Sequence, residues 1–156
     1  MTSQTISLIL PSAEDTDQLG RVLANYAKAG DCILLHGQIG AGKSALARAF
    51  IRARIGPDTE VPSPTFTLVQ TYDDDGGEIW HADLYRLSDT QEAVELGLTD
   101  AFDTHICLIE WPELLEEMTP PSALNIHITV HSDHHLASIT FGSNWKNRLS
   151  EISTNA

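Results

Sequence analysis

Basic residues are scarce. Nine Lys and Arg stand against 22 Asp and Glu in 156 residues, a formal charge of −13 with neutral histidines. Broad direct contact with nucleic acid needs clustered cations that release counterions, so this balance argues against it. It argues equally against docking on an anionic membrane surface. Long apolar runs are also missing, and nothing approaches the roughly 20 residues that span a bilayer. The opening MTSQTISLIL has neither a basic segment nor a small-residue cleavage site, so no signal peptide is expected. There are two cysteines, Cys32 and Cys107. Each sits in an apolar run, CILLHG or ICLIEW, where a buried, reduced thiol acting as a small hydrophobe is expected. A cytoplasmic location follows. Internal repeats and low-complexity linkers are absent.

What is present is ordinary for one globular domain over residues 1–156, with 42% hydrophobic and 20% charged residues. Thr5 to Leu10 reads as a strand ended by Pro11. Ser12 followed by Asp15 reads as a helix N-cap. Leu19, Val22, Leu23 and Tyr26 put one apolar face on the helix that follows, with Gly30 as its C-cap. CILLH is a continuous apolar run, as in a strand buried on both faces. A glycine loop and a helix over Lys43 to Ile55 come next, stopped by Gly56-Pro57. TFTLVQTY and EIWHADLYRL flank Asp73-Asp74-Asp75-Gly76-Gly77 as a β-hairpin. Thr90 to Leu96 reads as a helix and His105 to Glu110 as a buried strand. Pro112 to Met118 reads as a helix with proline at its first position. Leu124 to Val130 and Leu136 to Phe141 form a second hairpin, and Asn144 to Ile152 a terminal helix.

The strongest chemical signal is Gly37-Gln38-Ile39-Gly40-Ala41-Gly42-Lys43-Ser44, a full G-x-x-x-x-G-K-[ST] phosphate loop. A chance match in such a chain is on the order of 0.5% at average composition. It lies between a buried strand and a helix, as the chemistry requires. Glycines let backbone N–H groups turn towards phosphate oxygens, and the helix N-terminus adds its positive end. Lys43 is the candidate for the β- and γ-phosphates, and the Ser44 hydroxyl for Mg²⁺. The expected cradle is Gly37, Gly40, Ala41, Gly42, Lys43, Ser44 and Ala45. The expected fold is a three-layer α/β, P-loop NTPase-like domain. Its sheet would be mixed and mostly parallel, with antiparallel strands at the C-terminal end.

Ile106-Cys107-Leu108-Ile109-Glu110 is a buried strand ending in a carboxylate, so Glu110 is a candidate to hold Mg²⁺ or orient a water. Asp83 is the second candidate acid. Asp83, His81 and Tyr85 alternate onto one face of their predicted strand. No N-K-x-D occurs, so ATP is expected rather than GTP. The kinase glycine loop and H-R-D are absent. Arg48 and Arg52 are expected to be solvated or paired with acids. Arg86 is read as a structural ion pair more readily than as an arginine finger. His127, His131, His134 and His135 match no zinc spacing and read as turn residues. Trp80 and Trp145 read as packing residues.

The ordered set GQIGAGKS, Ser63-Pro64-Thr65-Phe66-Thr67, HADLYRL, Glu95-Leu96-Gly97 and Ile109-Glu110-Trp111-Pro112 resembles the TsaE family (formerly YjeE) from about Ile6 to Phe141. That resemblance implies an ATPase using ATP and Mg²⁺ in the biosynthesis of N6-threonylcarbamoyladenosine at position 37 of tRNAs reading ANN codons. TsaB and TsaD homologues are the implied partners, with tRNA met only indirectly. It implies Lys43, Asp83 and Glu110 as catalytic residues, and Ser44 and Glu110 as metal-binding ones. Thr65 falls in a switch-like loop, and Trp111 matches an aromatic beside the nucleotide. Gln38 stands where the family usually has an acid, and Ser44 replaces the usual threonine but keeps the hydroxyl. Two other functions fit the loop alone: a kinase of a small metabolite, and a nucleotide-gated binding module with incidental hydrolysis.

Overall fold

In the computed structural model, which describes residues 4–75 and 77–155 (side chains to 150), the apolar run Cys32–His36 (β2) lies at the centre of a 7-stranded sheet. Residues 1–3, and Gly76 of the predicted turn, lie outside the described residues. The other strands are β1 (Gln4–Leu10), β3 (Val69–Asp74), β4 (Gly77–Asp83), β5 (Ile106–Glu110), β6 (Leu124–Val130) and β7 (His135–Phe141). Their order is β1-β7-β6-β2-β5-β4-β3. The β2–β5, β2–β6 and β4–β5 pairings are parallel and central, while β1–β7, β6–β7 and β3–β4 are antiparallel and close both sides.

Alternation along the central strands feeds two cores. Ile33 and Leu35 of β2, with Ile106 and Leu108 of β5, face α1 (Ala13–Tyr26), α2 (Lys43–Ile55) and α5 (Ser143–Asn155). Cys32, Leu34, Cys107 and Ile109 face α3 (Thr90–Glu95), α4 (Leu98–Thr104) and the 3₁₀ segment Pro112–Met118. The expected three layers are therefore present. Both cysteines are free and buried, and burial pushes the Cys107 thiol up to about 12. Trp145 is fully buried under the Arg148 guanidinium, whose carbon lies 3.7 Å from its ring centroid.

Ser12 caps α1 as read: the Asp15 carboxylate accepts from its backbone N–H at 3.0 Å and its hydroxyl at 2.8 Å. The far end of α1 differs from expectation. The helix stops at Tyr26, well before Gly30, because Ala27 is extended. Arginines from other helices satisfy the last carbonyls. Arg54 donates to Ala24 O at 2.9 Å and Ala27 O at 2.8 Å, and Arg148 donates to Tyr26 O at 2.9 Å. Arg54 also pairs with Asp74 at 2.8 Å, and Arg148 with Asp31. Three further readings need correction. The first predicted hairpin strand is shorter, because residues 64–67 form a turn closed by Leu68 N–H donating to Pro64 O at 2.7 Å. The second ends at Asp83, so Tyr85 leaves the sheet. Pro112–Met118 is 3₁₀ rather than α, with a break at Glu116 (φ 48°, ψ −122°).

α1 crosses α2 at Gly20, where a Cβ would lie 2.5 Å from Leu46 O and 3.2 Å from Phe50 N. These are backbone atoms, so a methyl must push the helices apart. Gly20→Ala gains about 1 kcal/mol of helix propensity but loses roughly 1–3 kcal/mol to overpacking. A fall in Tm of several degrees in a thermal melt is expected; an unchanged or raised Tm would show that the crossing can relax.

Candidate functional site

The parallel strands β2, β4 and β5 end at one edge, where the crevice of an open α/β sheet lies. From β2 the chain enters the glycine loop, and Gly42 caps α2. Gly37 sits at φ +149°, and a Cβ there would come 2.8 Å from Ile128 O, so the loop must begin with glycine. Asp83 and Glu110 are register partners at the ends of β4 and β5, which brings the two carboxylates together under the loop. Both are almost completely buried.

Glu110 is held by two groups. Its Oε1 accepts from the Ser44 hydroxyl at 2.9 Å, and its Oε2 lies 2.6 Å from His81 Nε2. Asp83 Oδ2 accepts from the Thr65 hydroxyl at 3.1 Å, and Oδ1 from Tyr85 N–H at 3.0 Å. Lys43 donates to Gly37 O, and its ammonium lies 3.5 Å from the centroid of the Trp111 ring. Burial pulls the Lys43 ammonium below its usual range, while Glu110, Asp83 and Glu113 oppose that shift. Trp111 reaches the lysine from a left-handed backbone position (φ 56°), directly after β5. Tyr85 packs against it with ring centroids 4.9 Å apart.

A cavity of about 340 Å³ is lined by Gly40, Gly42, Lys43, Ser44, Ala45, Thr65, Asp83, Glu110 and Trp111, with Ile39. Of the sequence-derived set, Gly37 and Ala41 do not line it. Gly37 accepts the lysine, and the Ala41 methyl belongs to the core. Hard oxygen donors and a cation facing one cavity suit a phosphate ester with Mg²⁺, an ion bound through one or two protein oxygens plus substrate phosphates. Among the described residues no cluster of three or more His, Cys, Asp or Glu could hold a metal alone.

Arg86 has no ion pair among the described residues, which corrects its reading; its guanidinium carbon lies 4.9 Å from the exposed Phe66 ring. Arg48 and Arg52 line a separate cleft with Asp17 and Arg21. The histidines of the second hairpin lie nearer the loop than sequence reading could show. A cavity of about 440 Å³ is lined by Ser12, Thr16, Gly40, Gly42, Ala45, His131 and His134, among others. The His131 and His134 rings stack at 4.9 Å. The reason is topological: β6 runs parallel to β2, so the turn after it reaches the same edge.

His127 stacks on His36, the residue before the loop, with centroids 4.1 Å apart. Partial burial, then the His36 charge, holds the His127 imidazole below its usual range, with Glu113 opposing. A depressed folded pKa means that the unfolded chain binds the proton more readily. Its contribution to stability is present above the ordinary histidine value, about 6.5, and is lost as pH falls through the folded value. His127→Gln is expected to narrow the stability difference between about pH 7.5 and 5.5 in denaturant titrations. An unchanged difference would remove His127 from the acid response.

No helix among the described residues is long and apolar enough to cross a membrane. The family model "Threonylcarbamoyl adenosine biosynthesis protein TsaE" matches residues 10–138. A Rickettsia felis protein described as "tRNA threonylcarbamoyladenosine biosynthesis protein TsaE" is 38% identical over 137 residues, covering 87% of this chain and 80% of its own. A Bacillus subtilis protein of the same description is 37% identical over 129 residues, covering 82% and 79%. The crystal structure of Bacillus subtilis YdiB superposes with a TM-score of 0.81 at 27% identity, covering 99% of this chain and 98% of that one.

Proposed function

This chain belongs to the TsaE family of tRNA threonylcarbamoyladenosine biosynthesis, and on that premise we propose that it is an ATPase driving the complex that makes this modification. One observation carries the reading: Lys43 and Ser44 of the glycine loop face Glu110 and Asp83 across a single cavity. The phosphates of ATP rest on the loop N–H groups and the α2 N-terminus. Lys43, whose ammonium donates to the Gly37 carbonyl, turns to the phosphate oxygens. Ser44 and Glu110 would hold Mg²⁺, which would supply positive charge to offset that of the phosphate oxygens. Asp83 keeps acceptor capacity beside the Thr65 hydroxyl. It orients a water for attack on the γ-phosphorus and takes its proton as the bond to ADP breaks. Gly40, Gly42 and Ala45 also line the second cavity, so the nucleoside extends towards His131 and His134.

TsaB and TsaD homologues are the partners we assign, with tRNA held by them. The −13 charge supports that division, because this chain lacks the cations to hold tRNA itself. Turnover alone is slow and rises in the complex. Incubation with Mg·ATP, with and without the partners, should release free phosphate, more with them. Depleting the protein should lower threonylcarbamoyladenosine in tRNA by mass spectrometry. Phosphate found on a small acceptor would favour a kinase instead.

A further inference from the structure

We propose that His81 is a positioning residue, whose Nε2–H fixes one oxygen of Glu110 so that the other is presented to Ser44 and to a divalent cation. The inference rests on the reading of Glu110 as a metal-binding acid. β4 places His81 opposite Leu108 on β5, so its ring reaches diagonally to Glu110 on the face shared with α2. His81 is 1% exposed and Glu110 2%. A carboxylate oxygen 2.6 Å away can only accept, so Nε2 carries the proton. Nδ1 is buried with no hydrogen-bond partner among the described residues. Leaving a polar atom unpaired costs stability, so packing does not explain an imidazole here. The bond made by the other nitrogen does. A glutamate side chain has rotatable bonds that a short strand end does not restrain. Tying Oε2 to a ring anchored in β4 leaves Oε1, which accepts from Ser44 Oγ at 2.9 Å, directed to the cation position.

The test is the gain in ADP affinity on adding Mg²⁺, by calorimetry, in wild type, His81→Gln, His81→Asn and Glu110→Gln. Glutamine can place an amide N–H near the Nε2 position, whereas asparagine reaches only as far as Nδ1. The Mg²⁺ gain should fall roughly 10-fold in His81→Asn and stay within about threefold of wild type in His81→Gln. Affinity without Mg²⁺ should match in both, which a general packing defect would not give. A full gain in His81→Asn, with the gain lost in Glu110→Gln, would overturn this proposal and leave the metal reading intact. Equal losses in both His81 variants would overturn it too. A full gain in Glu110→Gln would overturn the metal reading and the proposal together. Independently of folding of the variants, ¹⁵N spectra of the wild-type imidazole should show Nε2 protonated and Nδ1 not, with and without Mg·ADP. An unprotonated Nε2 would contradict the assignment.

Discussion

Lys43→Ala is expected to lower ATP turnover by roughly 100-fold or more while the protein stays folded. Among the described residues that line the cavity, Lys43 is the one cation. Its ammonium rests on a carbonyl of its own loop and on the Trp111 face. Both contacts are exchangeable for phosphate oxygens. Once the lysine is gone, charge developing on the transferring phosphoryl group is left to the loop N–H groups and the metal, with no cationic side chain among the residues lining the cavity. The fold tolerates the loss because the two acids have other partners. Glu110 keeps Ser44 and His81, and Asp83 keeps Thr65 and the Tyr85 N–H. Phosphate release measured beside a thermal melt separates the outcomes. Wild-type turnover in a folded Lys43→Ala protein would remove the loop from the chemistry.

The second large effect is expected at Asp83. Asp83→Asn should cut turnover by about 10²- to 10⁴-fold, the range for loss of a general base. Affinity for Mg·ADP should stay close to wild type, since the carboxylate is assigned to the water rather than to the diphosphate. The amide can still accept the Tyr85 N–H and meet the Thr65 hydroxyl, so the local structure survives. Glu110→Gln should differ by losing Mg²⁺-dependent affinity as well as rate. Equal losses of binding in both variants would show that the acids share one role. Normal turnover in Asp83→Asn would assign the water elsewhere.

Much of this site was legible because its signals are local. The loop pattern, the apolar runs of β2 and β5 and the strand-end carboxylate each lie within a few consecutive residues. Glu110 could be placed because a strand buried on both faces must end at an edge. Other features depend on partners distant in sequence. α1 ends at Tyr26 because Arg54 and Arg148 reach its carbonyls, and no local pattern announces those contacts. α4 has a single i, i+3, i+4 apolar set, Leu98, Ala101 and Phe102, in seven residues, too short a run for periodicity to mark a helix. The left-handed residues Leu68 and Trp111 set the turn bearing Thr65 and the indole over Lys43, and neither residue type signals such a backbone. His81 was visible on a polar strand face, but its bond to Glu110 needs the β4–β5 register.

Titration of the protein with ATP and with ADP, in Mg²⁺ and in EDTA, reaches the central claim most directly. Saturable one-to-one binding is expected, strengthened by Mg²⁺ in wild type and weakened by Lys43→Ala. No heat from either nucleotide, with or without the TsaB and TsaD homologues, would contradict the assignment of this cavity to a nucleoside phosphate and its magnesium.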